Sequence, residues 1–296
     1  MHKTPHSRES RVSAATADDF SGFRAVRHRR WRLLIHPEID PAQAVALTSS
    51  YGLAGTENRP WRRVKSAPWT VVFLAGLEYQ GRHRKVYVKY ELPRSFIDTC
   101  KYLWRRTRSR KAMAASLMLR RQGFNAPEPW VLLEKGFGPF RTKNGLATEA
   151  VENSLAMGRK IECEAAPDTP SGLRLRRRMI REFARLVARL HNRGILHGDL
   201  GLSNVLVREA GEKMEIWLID NERTRQYPKE PPSRLVIKNL IQINMFRNTV
   251  SDAERMRFLV VYGARRNLAK DEIRRLSCQV RAGTERRMIN RTRKGK

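Results

Sequence analysis

The side chains with the clearest chemical role lie in one short stretch that contains His197, Asp199 and, five residues after the aspartate, Asn204. This His-x-Asp-x-x-x-x-Asn spacing is that of a kinase catalytic loop, in which the aspartate orients the acceptor hydroxyl and takes its proton. The asparagine of such a loop gives its amide oxygen to Mg²⁺. The stretch therefore predicts a phosphotransfer site in which Asp199 is the base, Asn204 is a metal ligand and His197 supports the loop.

A second carboxylate, Asp220, follows an apolar segment a little further along the chain. Residues 205–207 and 215–219 are strand-like, and the turn-forming residues 209–212 separate them, so the segment predicts a β-hairpin. The start of one strand in an antiparallel hairpin lies beside the end of the other, which places Asn204 next to Asp220. Carboxylate and amide oxygens suit Mg²⁺. The alternative is that Asp199 and Asp220 are ordinary turn and strand-end residues, where aspartate is common.

Lys89 is the candidate for the phosphate contact. It lies near the end of an alternating strand pattern that begins at Val86, which is where kinases carry the lysine that contacts the α- and β-phosphates. The alternative is a solvent-facing lysine, because the chain contains 60 Lys and Arg residues. The helix predicted over 99–122 contains no glutamate to pair with this lysine. Either this ion pair is absent, or the partner of Lys89 comes from elsewhere. The candidates are Asp98, Glu128, Asp220 and the nucleotide itself, and Glu91 lies close to Lys89 in the sequence.

The clearest predicted helix covers residues 173–192 and leads the chain into His197. Its apolar side chains recur on one face, and Gly194 ends it. Six arginines follow the other face, which indicates a solvated surface, a set of internal ion pairs or contact with an anionic surface. They are Arg174, Arg178, Arg181, Arg185, Arg189 and Arg193.

Composition limits the partners and the compartment. A formal charge of +31 over 296 residues favours polyanions, namely anionic lipid headgroups, phosphorylated glycolipid or nucleic acid. Three widely spaced cysteines indicate neither a disulfide framework nor a zinc site, and they suit a reducing cytosol. The polar N-terminus lacks a secretory signal, and no apolar run is long enough to span a membrane. We therefore expect a cytoplasmic protein whose membrane contact, if any, is peripheral.

The motifs resemble those of the lipopolysaccharide kinase family, which phosphorylates Kdo or heptose sugars. The resemblance is carried by His-Gly-Asp-Leu at 197–200, Ser-Asn-Val-Leu-Val at 203–207 and Leu-Ile-Asp-Asn-Glu-Arg at 218–223. Gly198 stands where protein kinases usually carry arginine, and residues 221–223 differ from the Phe-Gly that follows their metal-binding aspartate. The resemblance covers residues 86–262.

The resemblance implies an α+β, protein-kinase-like fold with a small antiparallel β lobe over 31–150 and a larger helical lobe over 151–280. It also implies that Glu149 and Val151 belong to the hinge that contacts adenine. We expect a disordered basic arm over 1–30 and a disordered basic tail over 281–296.

The implied reaction uses ATP and Mg²⁺ to phosphorylate a sugar hydroxyl of the lipopolysaccharide core or of Kdo-lipid A, at the inner face of the cytoplasmic membrane. One alternative is a catalytically weak, kinase-shaped protein that binds an anionic membrane or nucleic acid. The other is a protein kinase or a small-molecule kinase.

Overall fold

A computed structural model describes residues 20–49, 61–92, 106–137, 140–211, 213–246 and 249–293 of the chain. These residues form an N-terminal lobe built on a seven-stranded antiparallel sheet and a C-terminal lobe built mainly of helices. The predicted α+β, kinase-like fold class is confirmed. Within the described residues, no helix is long and apolar enough to cross a membrane.

The sheet of the small lobe has the strand order β1-β2-β6-β7-β5-β4-β3, and two smaller sheets lie in the large lobe. The β4–β5 hairpin turns at Gln80 and Gly81, whose φ angles of 51° and 68° are both positive. Positive φ at both central residues defines the type I′ turn that matches the twist of paired strands. The strands are β1 (Arg24–His28), β2 (Trp31–Ile35), β3 (Arg62–Ala67), β4 (Thr70–Tyr79), β5 (Arg82–Glu91), β6 (Pro129–Phe137), β7 (Phe140–Glu149), β8 (Ser154–Ala156), β9 (Ile195–Leu196), β10 (Val205–Ala210), β11 (Lys213–Leu218) and β12 (Arg225–Gln226).

Helices form the large lobe and cover the small one. Two single turns of 3₁₀ helix, Leu202–Asn204 and Asn221–Arg223, flank the β10–β11 hairpin. The α-helices are α1 (Pro41–Ser49), α2 (Arg108–Arg121), α3 (Met157–Cys163), α4 (Pro170–Asn192), α5 (Ser233–Ile243), α6 (Asp252–Arg265) and α7 (Lys270–Arg293).

Helix α2 is fixed to the sheet through its first turn. The Thr107 hydroxyl caps the helix by accepting from the Arg110 backbone N–H, and it donates to the buried Glu134 of β6 at 2.6 Å. The Ser109 N–H donates to Asn144 of β7 at 3.1 Å. The predicted helix was expected to begin at residue 99. Residues 93–105 lie outside the described part of the chain, and Arg106 and Thr107 are not helical.

Helix α4 is the central element of the large lobe. Its predicted apolar face packs into the core, where the Phe183 ring lies 5.7 Å from that of Phe258 on α6. Arg176 and Glu254 join the same two helices by a buried ion pair, with Nε 2.6 Å from Oε1. The Ser-x-x-Glu spacing at 251–254 predicts a capping box that opens a helix, and this box is present at the start of α6.

Three expectations about irregular segments are wrong. Residues 24–28 were assigned to a disordered arm but form β1. The strand forms because its backbone pairs with β2, and this pairing leaves its charged side chains in solvent. Residues 281–293 continue α7, which buries Val280 and Thr284 beside α5. The glycine, proline and acidic residues of segment 157–170 predict a surface connection, but residues 157–163 form α3 because Met157 and Ile161 enter the core. Residues 1–19 and 294–296 lie outside the described residues.

Candidate active site

His197 joins the two halves of the site. It follows β9 and is fully buried, its Nδ1 accepts from the Asp199 N–H at 3.4 Å, and its Nε2 lies 3.1 Å from the carbonyl oxygen of Ile219. With Nδ1 accepting, Nε2 carries the proton and donates to that carbonyl. Burial lowers the pKa of His197, which keeps the ring neutral. The side chain therefore links Asp199 to the residue just before Asp220.

The β10–β11 hairpin brings Asn204 beside Asp220, as predicted. Val205 pairs with Leu218, and the Ile219 N–H donates to the Asn204 carbonyl at 3.0 Å. The Asn204 amide nitrogen donates to the Asp199 carbonyl oxygen at 2.9 Å, so its Oδ1 is the atom suited to a cation. One amide and one carboxylate, completed by nucleotide phosphates, fit Mg²⁺.

Asp220 holds an unusual backbone conformation. Its φ of 61° and ψ of 48° lie in the left-handed region, which aspartate tolerates better than most other residues with a side chain. Such conformations cost of order 1–3 kcal/mol and cluster at functional sites. The turn begins the 3₁₀ helix that follows, whose Asn221 donates to Ser116 of α2 at 3.1 Å.

Lys89 points into the cleft and not along a solvent face of β5. Its Nζ lies 2.7 Å from Asp220 Oδ1 and 3.5 Å from Glu91 Oε1. Burial on its own lowers the pKa of this lysine, but the charges of Asp220 and Glu91 outweigh it and raise the pKa. The Lys89 side chain is therefore positively charged and lies beside Asp220, as the kinase interpretation requires.

A polar cavity of about 170 Å³ gathers the predicted residues Lys89, Asp199 and Asp220. They come from a small-lobe strand, the catalytic loop and the end of the hairpin, so the fold brings three distant segments together. The sequence-based prediction assigned no site role to the other lining residues. They are Thr70, Glu91, Arg108, Glu222 and Arg223.

Glu91 is the most deeply buried of these, with 3% of the residue exposed. Burial and the negative charge of Glu222 raise its pKa to about 7, because they outweigh the opposing charges of Lys89 and Arg108. Arg108 Nε lies 3.9 Å from Glu91 Oε2. The signal for Glu91 in the sequence was its spacing from Lys89, since residues two apart on a strand share one face.

A family model described as "Lipopolysaccharide kinase (Kdo/WaaP) family" matches residues 62–262, which span β3 to α6 and include every residue of this cavity. The chain belongs to the lipopolysaccharide kinase (Kdo/WaaP) family. The predicted resemblance is confirmed.

The chain is also similar to one known kinase and to one solved structure. A 3-deoxy-D-manno-octulosonic acid kinase of Haemophilus influenzae (strain 86-028NP) is 26% identical over 102 residues, which are 34% of this chain and 39% of that protein. The matched part is thus less than half the length of this relative. The solved structure "WaaP in complex with acyl carrier protein" superposes with a TM-score of 0.60 at 19% identity, covering 86% of this chain and 97% of that one. That likeness concerns the fold.

The predicted hinge residues of this Kdo/WaaP family chain lie apart from the cavity. The Glu149 side chain accepts from the Glu128 N–H at 2.9 Å and from Arg120 at 3.4 Å, and its own N–H donates to the Glu128 carbonyl. The Val151 carbonyl accepts from the Ser154 hydroxyl at 2.6 Å. Both residues lie where the chain passes between the lobes. Their contact with adenine remains a prediction.

Glu128 is not the partner of Lys89. Its carboxylate accepts from Arg120 at 2.9 Å, from the Tyr79 hydroxyl at 3.1 Å and from Trp130 Nε1 at 3.4 Å. Asp98 lies outside the described residues. Of the predicted candidates, Asp220 makes the contact.

The catalytic loop of this family member rests on a buried polar network from α5 that the sequence-based prediction also missed. Asn239 donates to the His197 carbonyl at 2.5 Å, and Gln242 Nε2 donates to the Gly198 carbonyl at 3.0 Å. The His191 ring bridges Asn239 and Tyr262 at 3.1 and 2.8 Å. The available signal in the sequence was a pair of amides, Asn239 and Gln242, which lie three residues apart on the buried face of α5.

Proposed function

We propose that the chain is an ATP- and Mg²⁺-dependent kinase that phosphorylates a sugar hydroxyl of the lipopolysaccharide core or of Kdo-lipid A. The observation that carries this proposal is the convergence of Lys89, Asp199 and Asp220 on one polar cavity. The family supplies the class of acceptor. A cation for phosphate, a base and a metal-binding carboxylate are the groups that phosphoryl transfer requires.

The roles follow from the chemistry of each side chain. Asp199 orients the acceptor hydroxyl and takes its proton, while His197 and Asn204 hold the backbone of Asp199 from its two sides. Asn204 Oδ1 and the Asp220 carboxylate would hold Mg²⁺, which neutralises developing charge on the phosphates when bound. Lys89 and Asp220 pair in the nucleotide-free chain, and we propose that Lys89 turns to the phosphates when nucleotide enters.

The excess of positive charge supports an anionic acceptor. With 60 basic and 29 acidic residues, the protein is attracted to the phosphorylated, carboxylate-bearing face of lipid A and its inner core sugars. We propose peripheral contact at the cytoplasmic face of the inner membrane. Anionic lipid and nucleic acid remain competing ligands in the alternative, a kinase-shaped binding protein with weak activity.

The deciding experiment offers Kdo-lipid A, heptose-containing core, a protein mixture and tRNA to purified protein with Mg·ATP, and scores phosphate incorporation. We expect transfer to a glycolipid acceptor alone. Labelling of protein would support a protein kinase. Tight binding of vesicles or tRNA without transfer to any acceptor would support the binding protein.

The matched control is Asp199→Asn, which keeps the size of the side chain and removes the base. We expect its turnover to fall by roughly 10²–10⁴-fold while Mg·ATP still stabilises the protein against heat. Unchanged turnover would assign the base to another residue.

A further inference from the structure

Helix α2 provides no carboxylate for Lys89. In protein kinases a glutamate of the corresponding helix forms the ion pair that orients the strand lysine toward the phosphates. The described turns of α2, Arg108–Arg121, contain no acidic residue. An orienting anion for Lys89 must then come from another element.

Glu91 occupies the required place. It lies two residues after Lys89 on β5, so both side chains project from the same face of the strand. Its Oε1 lies 3.5 Å from Lys89 Nζ. Only 5% of its side chain is exposed, so water does not screen its charge effectively.

Helix α2 approaches Glu91 with a cation. Arg108 in its first turn lies 3.9 Å from Glu91 Oε2, whereas Lys89 lies 3.5 Å from the other carboxylate oxygen, Oε1. Charges thus alternate from Asp220 through Lys89 and Glu91 to Arg108. Glu222 is the other charged group facing Glu91. Helix α2 therefore acts on Lys89 indirectly, because its Arg108 contacts Glu91 and Glu91 contacts Lys89.

Asp220 cannot hold Lys89 throughout the reaction. In the proposed function its carboxylate binds Mg²⁺, and the ammonium must leave it for the phosphates. Glu91 faces Lys89, Arg108 and Glu222, and none of these contacts has to break when Lys89 turns to the phosphates. It is the carboxylate that can stay beside the lysine before and after nucleotide binding.

We propose that Glu91, held by Arg108, is the positioning residue that orients Lys89 toward the nucleotide phosphates in place of the usual helix glutamate. This inference rests on the proposed function, because it assumes that Lys89 contacts nucleotide.

The helix offers a place to restore the usual arrangement. Residues four apart on a helix share one face, and Arg108, Ala112 and Ser116 follow that spacing. Arg108 faces Glu91, and Ser116 accepts from Asn221 next to Asp220. Ala112 lies between them on the same face and is only partly buried. We therefore expect a glutamate at position 112 to lie on the face of α2 that carries Arg108 and Ser116 toward the site.

The test compares Glu91→Gln, the double variant Glu91→Gln with Ala112→Glu, and Glu78→Gln as a control that changes an exposed small-lobe carboxylate outside the cavity. Calorimetry without acceptor measures the Kd for Mg·ATP and for adenosine. We expect Glu91→Gln to weaken Mg·ATP binding by roughly 10-fold or more while adenosine binding is unchanged. The double variant should recover most of the loss, and the control should bind both ligands like wild type.

Wild-type Mg·ATP affinity in Glu91→Gln, or equal loss for adenosine and Mg·ATP, would overturn the inference. So would failure of the glutamate at 112 to restore binding in a double variant that melts like wild type. If Glu91→Gln does not fold, Glu91→Asp replaces it, and wild-type Mg·ATP affinity in that shorter variant would count against the role. A wild type that binds Mg·ATP in a Glu91-dependent way but phosphorylates no glycolipid would refute the proposed acceptor and leave this inference standing.

Discussion

Asp199 and Asp220 are chemically identical side chains with different surroundings. Asp220 lies 2.7 Å from the Lys89 ammonium and begins a strained turn, whereas the backbone of Asp199 is held by His197 and Asn204. The first arrangement suits a carboxylate that exchanges one cation for another. The second suits a carboxylate that must keep a fixed position beside an acceptor hydroxyl.

Substitution of Asp220 by alanine should abolish Mg²⁺-dependent nucleotide binding. The amide of Asn204 remains, but it carries no charge to hold a divalent cation against water. Thermal melting with and without Mg·ATP measures the effect, and we expect no stabilisation of the variant. Adenosine alone is the control, because it needs no metal. Stabilisation by Mg·ATP equal to wild type would contradict the metal assignment.

Gly198 is constrained by its neighbour across the site. A Cβ atom at this position would lie 2.5 Å from both the Cβ and the carbonyl oxygen of Arg223. This close approach accounts for glycine where protein kinases usually carry arginine. Arg223 itself lines the cavity together with Asp199.

Gly198→Ala should therefore destabilise the protein by about 1–3 kcal/mol, because the added methyl group meets backbone that must shift. Urea unfolding measures the free energy, and turnover should fall with it as Asp199 is displaced. Gly211→Ala serves as the control for stability, since nothing lies within 4 Å of a Cβ atom there, although its φ of 57° adds some strain. Equal stability of Gly198→Ala and wild type would show that residues 198 and 223 can separate without cost.

Helix α5 shows how one element positions a loop that it does not belong to. Asn239 and Gln242 bind the backbone on both sides of Gly198, and His191 of α4 and Tyr262 of α6 complete the network. Each buried polar group left without its partner costs about 1–3 kcal/mol. The catalytic loop is thereby linked to three helices of the large lobe.

The His191 side chain makes this network sensitive to acid. Burial lowers the pKa of His191 to about 4 from its usual 6.5, so the folded protein holds the ring neutral. The unfolded chain takes up a proton first as pH falls, and stability should decline between pH 6.5 and 4. Urea unfolding across this range should show the decline in wild type and a weaker one in His191→Gln. Equal slopes would remove His191 from the cause.

Local patterns predicted the elements that depend on neighbouring residues. The catalytic hairpin, helix α4 and the Ser251–Glu254 capping box each have a short-range signature, and each is present. The contact between Arg108 and Glu91 joins two elements through tertiary packing, so no local pattern reports it. Strand β1 was missed for the same reason, because its stability comes from pairing with β2 and its side chains look like those of a disordered segment.

At the scale of the whole molecule, part of the basic character is structural. Arg189 of α4 and Arg193, the residue that follows this helix, lie 4.4 and 5.5 Å from the Phe124 ring. Arg189 also donates to the Gly123 carbonyl just beyond the end of α2. Arg181 and Arg185 lie 3.5 and 2.8 Å from Glu182. In the C-terminal half of the predicted arginine row, the arginines therefore largely contact other residues of the protein.

The remaining net charge should still govern binding to anionic surfaces. We expect the protein to bind vesicles that contain anionic phospholipid and not vesicles of neutral phospholipid, since each basic residue near such a surface contributes about 1 kcal/mol. Raising salt from about 0.1 M to about 1 M shortens the screening length from about 10 Å to about 3 Å, so binding should be lost. Vesicle sedimentation measures this. Binding that survives high salt, or that is equal for neutral vesicles, would show that apolar contacts and not the charge of +31 hold the protein to lipid.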